Sequence, residues 1–170
     1  MAKALFITRN DLITFTSANG NLDPDKFLPY VRLASDIYLQ TYLGSELYKK
    51  IEALIEAGTL TLVDNPNYYN LVNNYCKDML IYYSMVEFLP FAGINITNSG
   101  IFSTQPENST VLDKERVDSL IEKSRDTAQH YTRRMIDYLC YNNNLFPEYN
   151  NNTNEDMNPD TRADFGGWVL

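Results

Sequence analysis

The chain has 170 residues, 44% of them hydrophobic, and a net charge of −8. That length fits one domain of ordinary size plus a tail, with enough apolar residues for a core. The charge argues against a general nucleic-acid binder, which needs a basic face, and the Lys and Arg residues form no such cluster.

The N-terminus, Met1-Ala-Lys-Ala-Leu-Phe-Ile-Thr8, carries one Lys and a few apolar residues. It is too short for a signal peptide or a membrane span. The Asn-x-Thr/Ser matches at Asn95, Asn108 and Asn151 then have no secretory context. The expectation is a protein made in a reducing cytoplasm, with Cys76 and Cys140 as buried thiols on helices rather than a disulfide.

Thr8 can cap a short helix over Arg9–Thr16, with Asp11 at the capping-box distance. Ala18-Asn-Gly-Asn21 breaks it. Asp23-Pro24-Asp25 starts a helix over 23–43, with Phe27, Leu28, Val31, Ala34, Tyr38, Leu39, Tyr42 and Leu43 at helical spacing. Gly44 stops it. Ser45 caps the next helix, 45–57, which Gly58 ends. Asn65-Pro66-Asn67 opens a third, to about Phe88, whose apolar residues cover most of its circumference. Such a helix is central to its fold or shared between subunits. Its polar interruptions Asn73, Asn74, Lys77, Asp78 and Glu87 exclude a membrane span.

Pro90 breaks the period. Ile94-Asn-Ile-Thr97 and Ile101-Phe-Ser-Thr104 around Asn98-Ser-Gly100 read as a β-hairpin at about 94–104. A lone hairpin is marginally stable, so it must pack on helices or on a neighbouring chain. The longest helix is 113–141. Its expected apolar stripe includes Val117, Leu120, Ile121, Ser124, Ala128, Tyr131, Met135, Ile136, Leu139 and Cys140, and its other face carries charges of both signs. The fold class is therefore mainly α: a bundle of four to five helices with one β-hairpin insertion. Residues 1–149 form the helical domain and 150–170 an extended, Asn-rich, acidic tail.

With Glu148 just before it, that tail carries half of the net charge, and it has little that is apolar until its end, where Phe165, Trp168 (the only Trp), Val169 and Leu170 stand together. A polar spacer cannot offset its own ordering entropy, so the expectation is a solvated tail whose apolar tip docks elsewhere, for instance on a neighbouring subunit. The alternative is a frayed terminus.

Motifs for catalysis are missing. The sequence has no Cys-x-x-Cys, His-Glu-x-x-His, phosphate-binding glycine loop or Gly-x-Ser-x-Gly. His130, the only histidine, reads as structural. Asn154-Glu-Asp156 with Asp160 fits no calcium loop. Neither cofactor nor metal is expected. An enzyme would need a pocket near Glu87, Tyr82 and His130. The thirteen tyrosines suit surfaces that bury a ring and keep a wet hydroxyl, as subunit contacts do.

Three stretches occur together: Leu28-Pro-Tyr30 leading into Tyr42-Leu-Gly-Ser-Glu-Leu-Tyr48; Glu87-Phe-Leu-Pro90 before Ile96-Thr-Asn-Ser-Gly-Ile101; and Asn144-Leu-Phe-Pro-Glu-Tyr149. Over residues 5–149 this order resembles a family of small virion proteins from phages and prophages of Bacteroides and its relatives, which includes a neck ring protein of crAss-like phages. They are head–tail connectors (adaptors) of tailed bacteriophages. The resemblance implies a structural protein of the virion neck, not an enzyme. It also implies a homo-oligomeric ring, usually of twelve, below the portal protein and above further neck or tail proteins. DNA would pass through as cargo, eased by an acidic lumen. The expected subunit contacts are Tyr82 and Tyr83 on the third helix, Ile94, Ile96, Ile101 and Phe102 on the hairpin, and Phe165, Trp168, Val169 and Leu170 at the tip. The other reading is a small cytoplasmic helical binding or regulatory module whose tail recognises a partner.

Overall fold

Thr8 and Asp11 close a reciprocal cap at the first helix. The Thr8 Oγ1 accepts the Asp11 N–H at 3.3 Å, and the Asp11 carboxylate accepts the Thr8 N–H at 2.8 Å. Two donors that a helix start leaves unpaired are thereby satisfied. Helix α1 follows over Arg9–Phe15. The computed structural model describes residues 4–15, 24–97, 100–103, 113–151, 153 and 156–163.

Asp11 also ties α1 to the bundle through Lys77, 3.5 Å away. Partial burial works against its charge. The Thr8 hydrogen bonds and Lys77 outweigh that and hold its carboxyl below the ordinary value. A carboxylate depressed on folding contributes stability above the unfolded pKa, about 3.9, and loses it as pH falls through the folded value. Acidification below about pH 4 is therefore expected to loosen α1, and Asp11→Asn to abolish that acid step. Hydrogen exchange at the Leu12 amide, bonded to the Thr8 carbonyl at 3.3 Å, reports it.

Helix α2 runs over Pro24–Ala34, passes through a π-helical turn at Ser35–Leu39 and continues as α3, Gln40–Glu56. Gly44, with φ 75° and ψ 157°, breaks α3 where the sequence places a stop. At its end Gly58 adopts φ 67°, its N–H bonds the Ile55 carbonyl, and Thr59 N–H bonds the Leu54 carbonyl. This is the Schellman arrangement that a glycine just past a helix permits. Helix α4 (Pro66–Leu71), a second π turn (Val72–Cys76) and α5 (Lys77–Phe88) form one continuous rod. A 3₁₀ turn at Leu89–Phe91 ends it. Strands β1 (Ile94–Thr97) and β2 (Gly100–Ser103) pair antiparallel, with Ile96 opposite Ile101. Helix α6 spans Lys114–Tyr141, and a 3₁₀ turn leads to the short α7, Pro147–Asn150.

The fold is mainly α, and α5 is its centre. It packs on α1, α2 and α6 and buries Met79, Leu80, Ile81, Tyr83, Ser84 and Val86, residues spread round the helix as its all-round apolar pattern requires. Helix α6 lies antiparallel to it: Tyr75 stacks on Tyr138 and Tyr82 on Tyr131. Among the described residues four polar side chains are buried in the bundle, and three of them, Ser35, Ser84 and Thr132, donate to the carbonyl four residues back. Each is thereby satisfied without a tertiary partner.

Two expectations about α6 change. Its apolar stripe is buried only from Ala128 onward; Leu120 is 47% exposed, because α5 ends at Phe88 and the first turns of α6 run past it. Cys140 is exposed, whereas Cys76 is buried with its Sγ 3.6 Å from Met135 Sδ. The buried face centres on Met135, Ile136 and Leu139, and Cys140 sits about 100° further round. Neither thiol forms a disulfide. Among the described residues no helix is long and apolar enough to cross a membrane.

Candidate subunit-contact surfaces

The break at Gly44 interrupts the backbone ladder of α3. In an unbroken helix the Ser45 N–H would bond the Thr41 carbonyl. Both groups are instead taken by the C-terminal segment. Ser45 N–H donates to the Met157 carbonyl at 3.0 Å, and Asp160 N–H donates to the Thr41 carbonyl at 2.9 Å. Residues 156–160 thus form a strap that fills the gap.

Side chains lock it. The Ser45 hydroxyl donates to the Asp156 carboxylate at 2.7 Å and accepts the Met157 N–H at 3.2 Å. The Gln40 amide donates to both Ser45 Oγ (2.9 Å) and Asp156 (3.1 Å). Thr153 donates to Glu46 at 3.1 Å. Ser45 therefore serves the strap as well as starting the second half of α3. Pro159 lies against Gly44 so closely that a Cβ there would stand 2.7 Å from its ring. Each hydrogen bond is worth about 0.5–1.5 kcal/mol net, enough together to hold a polar segment that buries little. The expectation of a solvated tail is corrected over 156–160: backbone pairing, which needs no apolar side chain, holds it against α3.

Below the strap lie three phenols. Tyr42, Tyr83 and Tyr149 are buried, and their hydroxyls have no good hydrogen-bond partner beyond the close approach of Tyr42 to Tyr83 and of Tyr149 to Cys140. Burial, with Tyr83 and Asp160 nearby, pushes the Tyr42 phenol far above its ordinary value. Burial, Cys140 and Asp160 push Tyr149 up to about 12. An unpaired buried hydroxyl costs about 1–3 kcal/mol.

The expected contact residues separate. Tyr83 is 1% exposed and stacks on Tyr38 at 3.9 Å, so it belongs to the core and not to a subunit surface. The correction has a simple cause: successive residues on α5 face about 100° apart, and Tyr83 points toward α2 and the turn after it. Tyr82 points to α6 and is part-exposed. It ends a row with Tyr131, Tyr75 and Tyr138 over which Arg134 lies, 5.7 Å from the Tyr75 ring centre and 5.8 Å from that of Tyr131. Such cation–π contacts are worth about 0.5–1 kcal/mol at exposed sites. Ile94 is 41% exposed at the base of the strands. The side chains of Ile96, Ile101 and Phe102, and all of Phe165, Trp168, Val169 and Leu170, lie outside the described residues.

Exposed apolar residues mark both ends of the α4–α5 rod, which is about 34 Å long at 1.5 Å per residue. Phe91, Ile94 and Leu120 stand at the strand end, and Leu62, Val63 and Tyr141 at the other. Sequence reading missed Phe91, Leu62, Val63 and the strap; Leu62-Val63 in an otherwise polar turn was the available signal. An open cleft of about 450 Å³ is lined by Glu87, Asp118, Glu122 and Arg125 among others. Glu87 accepts the Tyr38 hydroxyl at 2.7 Å. Neither Tyr82 nor His130 lines that cleft. Among the described residues no three His, Cys, Asp or Glu side chains are grouped to hold a metal.

Residues 39–158 match a family model described as a family of unknown function (DUF6712). The match covers more than half of the chain and extends into the strap. No curated protein and no solved structure gives a significant match.

Proposed function

The chain belongs to the DUF6712 family, and we propose that it is a structural subunit of a virion, a head–tail connector that forms a ring below a portal protein. One observation carries this reading furthest. Besides scattered Leu5, Phe15 and Leu33, the described residues expose apolar side chains at both ends of the α4–α5 rod, Leu62 and Val63 before it and Phe91 and Ile94 after it. Two different sticky surfaces per subunit are what heterologous, ring-closing or stacking contacts require. In this reading the β1–β2 arm meets a neighbouring subunit through Ile94, Ile96, Ile101 and Phe102, and the tip residues Phe165, Trp168, Val169 and Leu170 latch onto an adjacent subunit or the next ring. The part-exposed Tyr82 row adds lateral contact. Portal and further neck proteins cap the two ends. DNA passes as cargo, with no sequence readout and no cofactor, and the protein is made in the host cytoplasm before joining the virion.

Electron microscopy of the protein mixed with its portal tests this. A closed ring of copies on the portal is expected. Ile94→Asp with Leu120→Asp should abolish rings while leaving the helical circular dichroism unchanged, and Trp168→Ala should weaken them, a desolvated aromatic anchor being worth ~2 kcal/mol or more. Unaltered monomer in the presence of portal, at concentrations that saturate it, rejects the reading. A second reading, a helical binding module whose tail recognises a partner, draws support from the strap itself, since the chain already holds part of that tail in a built socket.

A further inference from the structure

We infer that the break in α3 is a peptide socket whose occupant in the assembled state is the strap of a second copy. The inference deepens the ring reading and rests on it in one respect: a second copy must be within reach.

The socket is built for a peptide. Its two ends are the Ser45 N–H and the Thr41 carbonyl, and the strap supplies one acceptor, on Met157, and one donor, on Asp160. Backbone pairing gives affinity, and the side chains give register. Ser45 and Gln40 select a carboxylate at position 156, and the bare face of Gly44 admits the ring of Pro159. A peptide carrying Asp, then backbone, then Pro-Asp fits, and the sequence that provides it is the chain's own, Asp156-Met-Asn-Pro-Asp160.

What holds the strap is mostly polar. Asp156, Met157 and Asn158 are exposed, and Met157 is 43% exposed. Little hydrophobic area commits the strap to its own chain, and a segment held by part-exposed hydrogen bonds opens at low free energy. The link from the end of α7 at Asn150 to Asp156 is a polar run, Asn151-Asn-Thr-Asn-Glu155, able to extend about 20 Å. Exchange between copies reproduces every contact of the closed form, so effective concentration decides between them. Packed side by side in a ring, neighbours supply that concentration. The occupant follows from charge and shape: each copy presents both the socket and its complement.

Engineered disulfides test it. Thr41 Oγ1 lies 3.8 Å from Met157 Sδ, and these contacts are not part of the Ser45–Asp156 lock. In a Cys140→Ser background, which removes the exposed thiol, full-length Thr41→Cys and Met157→Cys chains carrying different tags are mixed, assembled with portal and oxidised; the double variant is oxidised in parallel. Exchange predicts a mixed disulfide between differently tagged chains in the assembled fraction, rising with protein concentration as internal closure of the double variant falls. Internal closure at every concentration without a mixed product overturns the inference, and formation of neither disulfide overturns the socket itself. Microscopy of the same samples separates the two ideas. Rings with only internal closure remove strap exchange and keep the connector reading, whereas mixed disulfides in particles that are not rings do the reverse.

Discussion

Alanine at position 44 is expected to cost about 2–5 kcal/mol and to release the strap. Two effects add. Gly44 sits at φ 75° and ψ 157°, a region that residues with a side chain essentially never occupy, at about 1–3 kcal/mol. A Cβ there would also stand 2.7 Å from the Cδ and Cγ of Pro159. Either the strap leaves, losing its hydrogen bonds to Thr41 and Ser45, or α3 shifts. Gly58→Ala is the natural comparison. Gly58 also has a positive φ, 67°, but a methyl group added there meets no atom within 4 Å, so the change should cost only the left-handed penalty of about 1–2 kcal/mol. Urea unfolding measures the two stabilities, and hydrogen exchange at the Ser45 and Asp160 amides measures the strap. Equal losses in the two variants, with Asp160 still protected in Gly44→Ala, would remove the special role of the break.

The second large effect separates two adjacent tyrosines. Tyr83→Ala is expected to destabilise the fold by about 3–5 kcal/mol, as loss of a large core ring does, because Tyr83 is 1% exposed and stacks on Tyr38. Tyr82→Ala removes a part-exposed ring stacked on Tyr131 and should cost about 1 kcal/mol. In the connector reading proposed above, its main effect falls on assembly with a portal. Tyr83→Phe is the informative control. Its hydroxyl has only the neighbouring Tyr42 phenol near it and no well-formed hydrogen bond, so deleting it should cost little. Thermal melts rank the three; a Tyr82→Ala loss as large as that of Tyr83→Ala would place both rings in the core.

Much of the helical frame was legible because local chemistry writes it. Thr8 with Asp11, Pro66, Gly44 and Gly58 each satisfy or free particular backbone groups within a few residues, and the structure places helix ends beside all of them. The continuous apolar cover of 66–88 identified the central helix for the same reason. Its very completeness hid which tyrosine was inside: a helix apolar all round has no phase, so only the neighbours distinguish Tyr83 from Tyr82. The α6 stripe failed at Leu120 for the opposite reason. Its phase was plain, but the partner helix ends at Phe88, and no pattern within α6 records the length of another element. The strap was illegible because its main partners are backbone groups, which carry no residue signature, and because Met157 and Ser45 lie 112 positions apart. Contacts between copies leave no mark on the burial of a single chain, so the hairpin and tip residues are read from their apolar character alone.

The break in α3 also sets an order of events during synthesis. Ser45 leaves the ribosome 112 residues before Met157. At 5–20 residues per second, that gap is roughly 6–22 s. Over this interval the amide at 45 and the carbonyl at 41 lack the strap of their own chain, while α1 through α5 already have their local hydrogen bonds available. The last turn of the fold to be completed is thus near the first third of the sequence, and a chain terminated anywhere before Asp156 lacks the segment that finishes it.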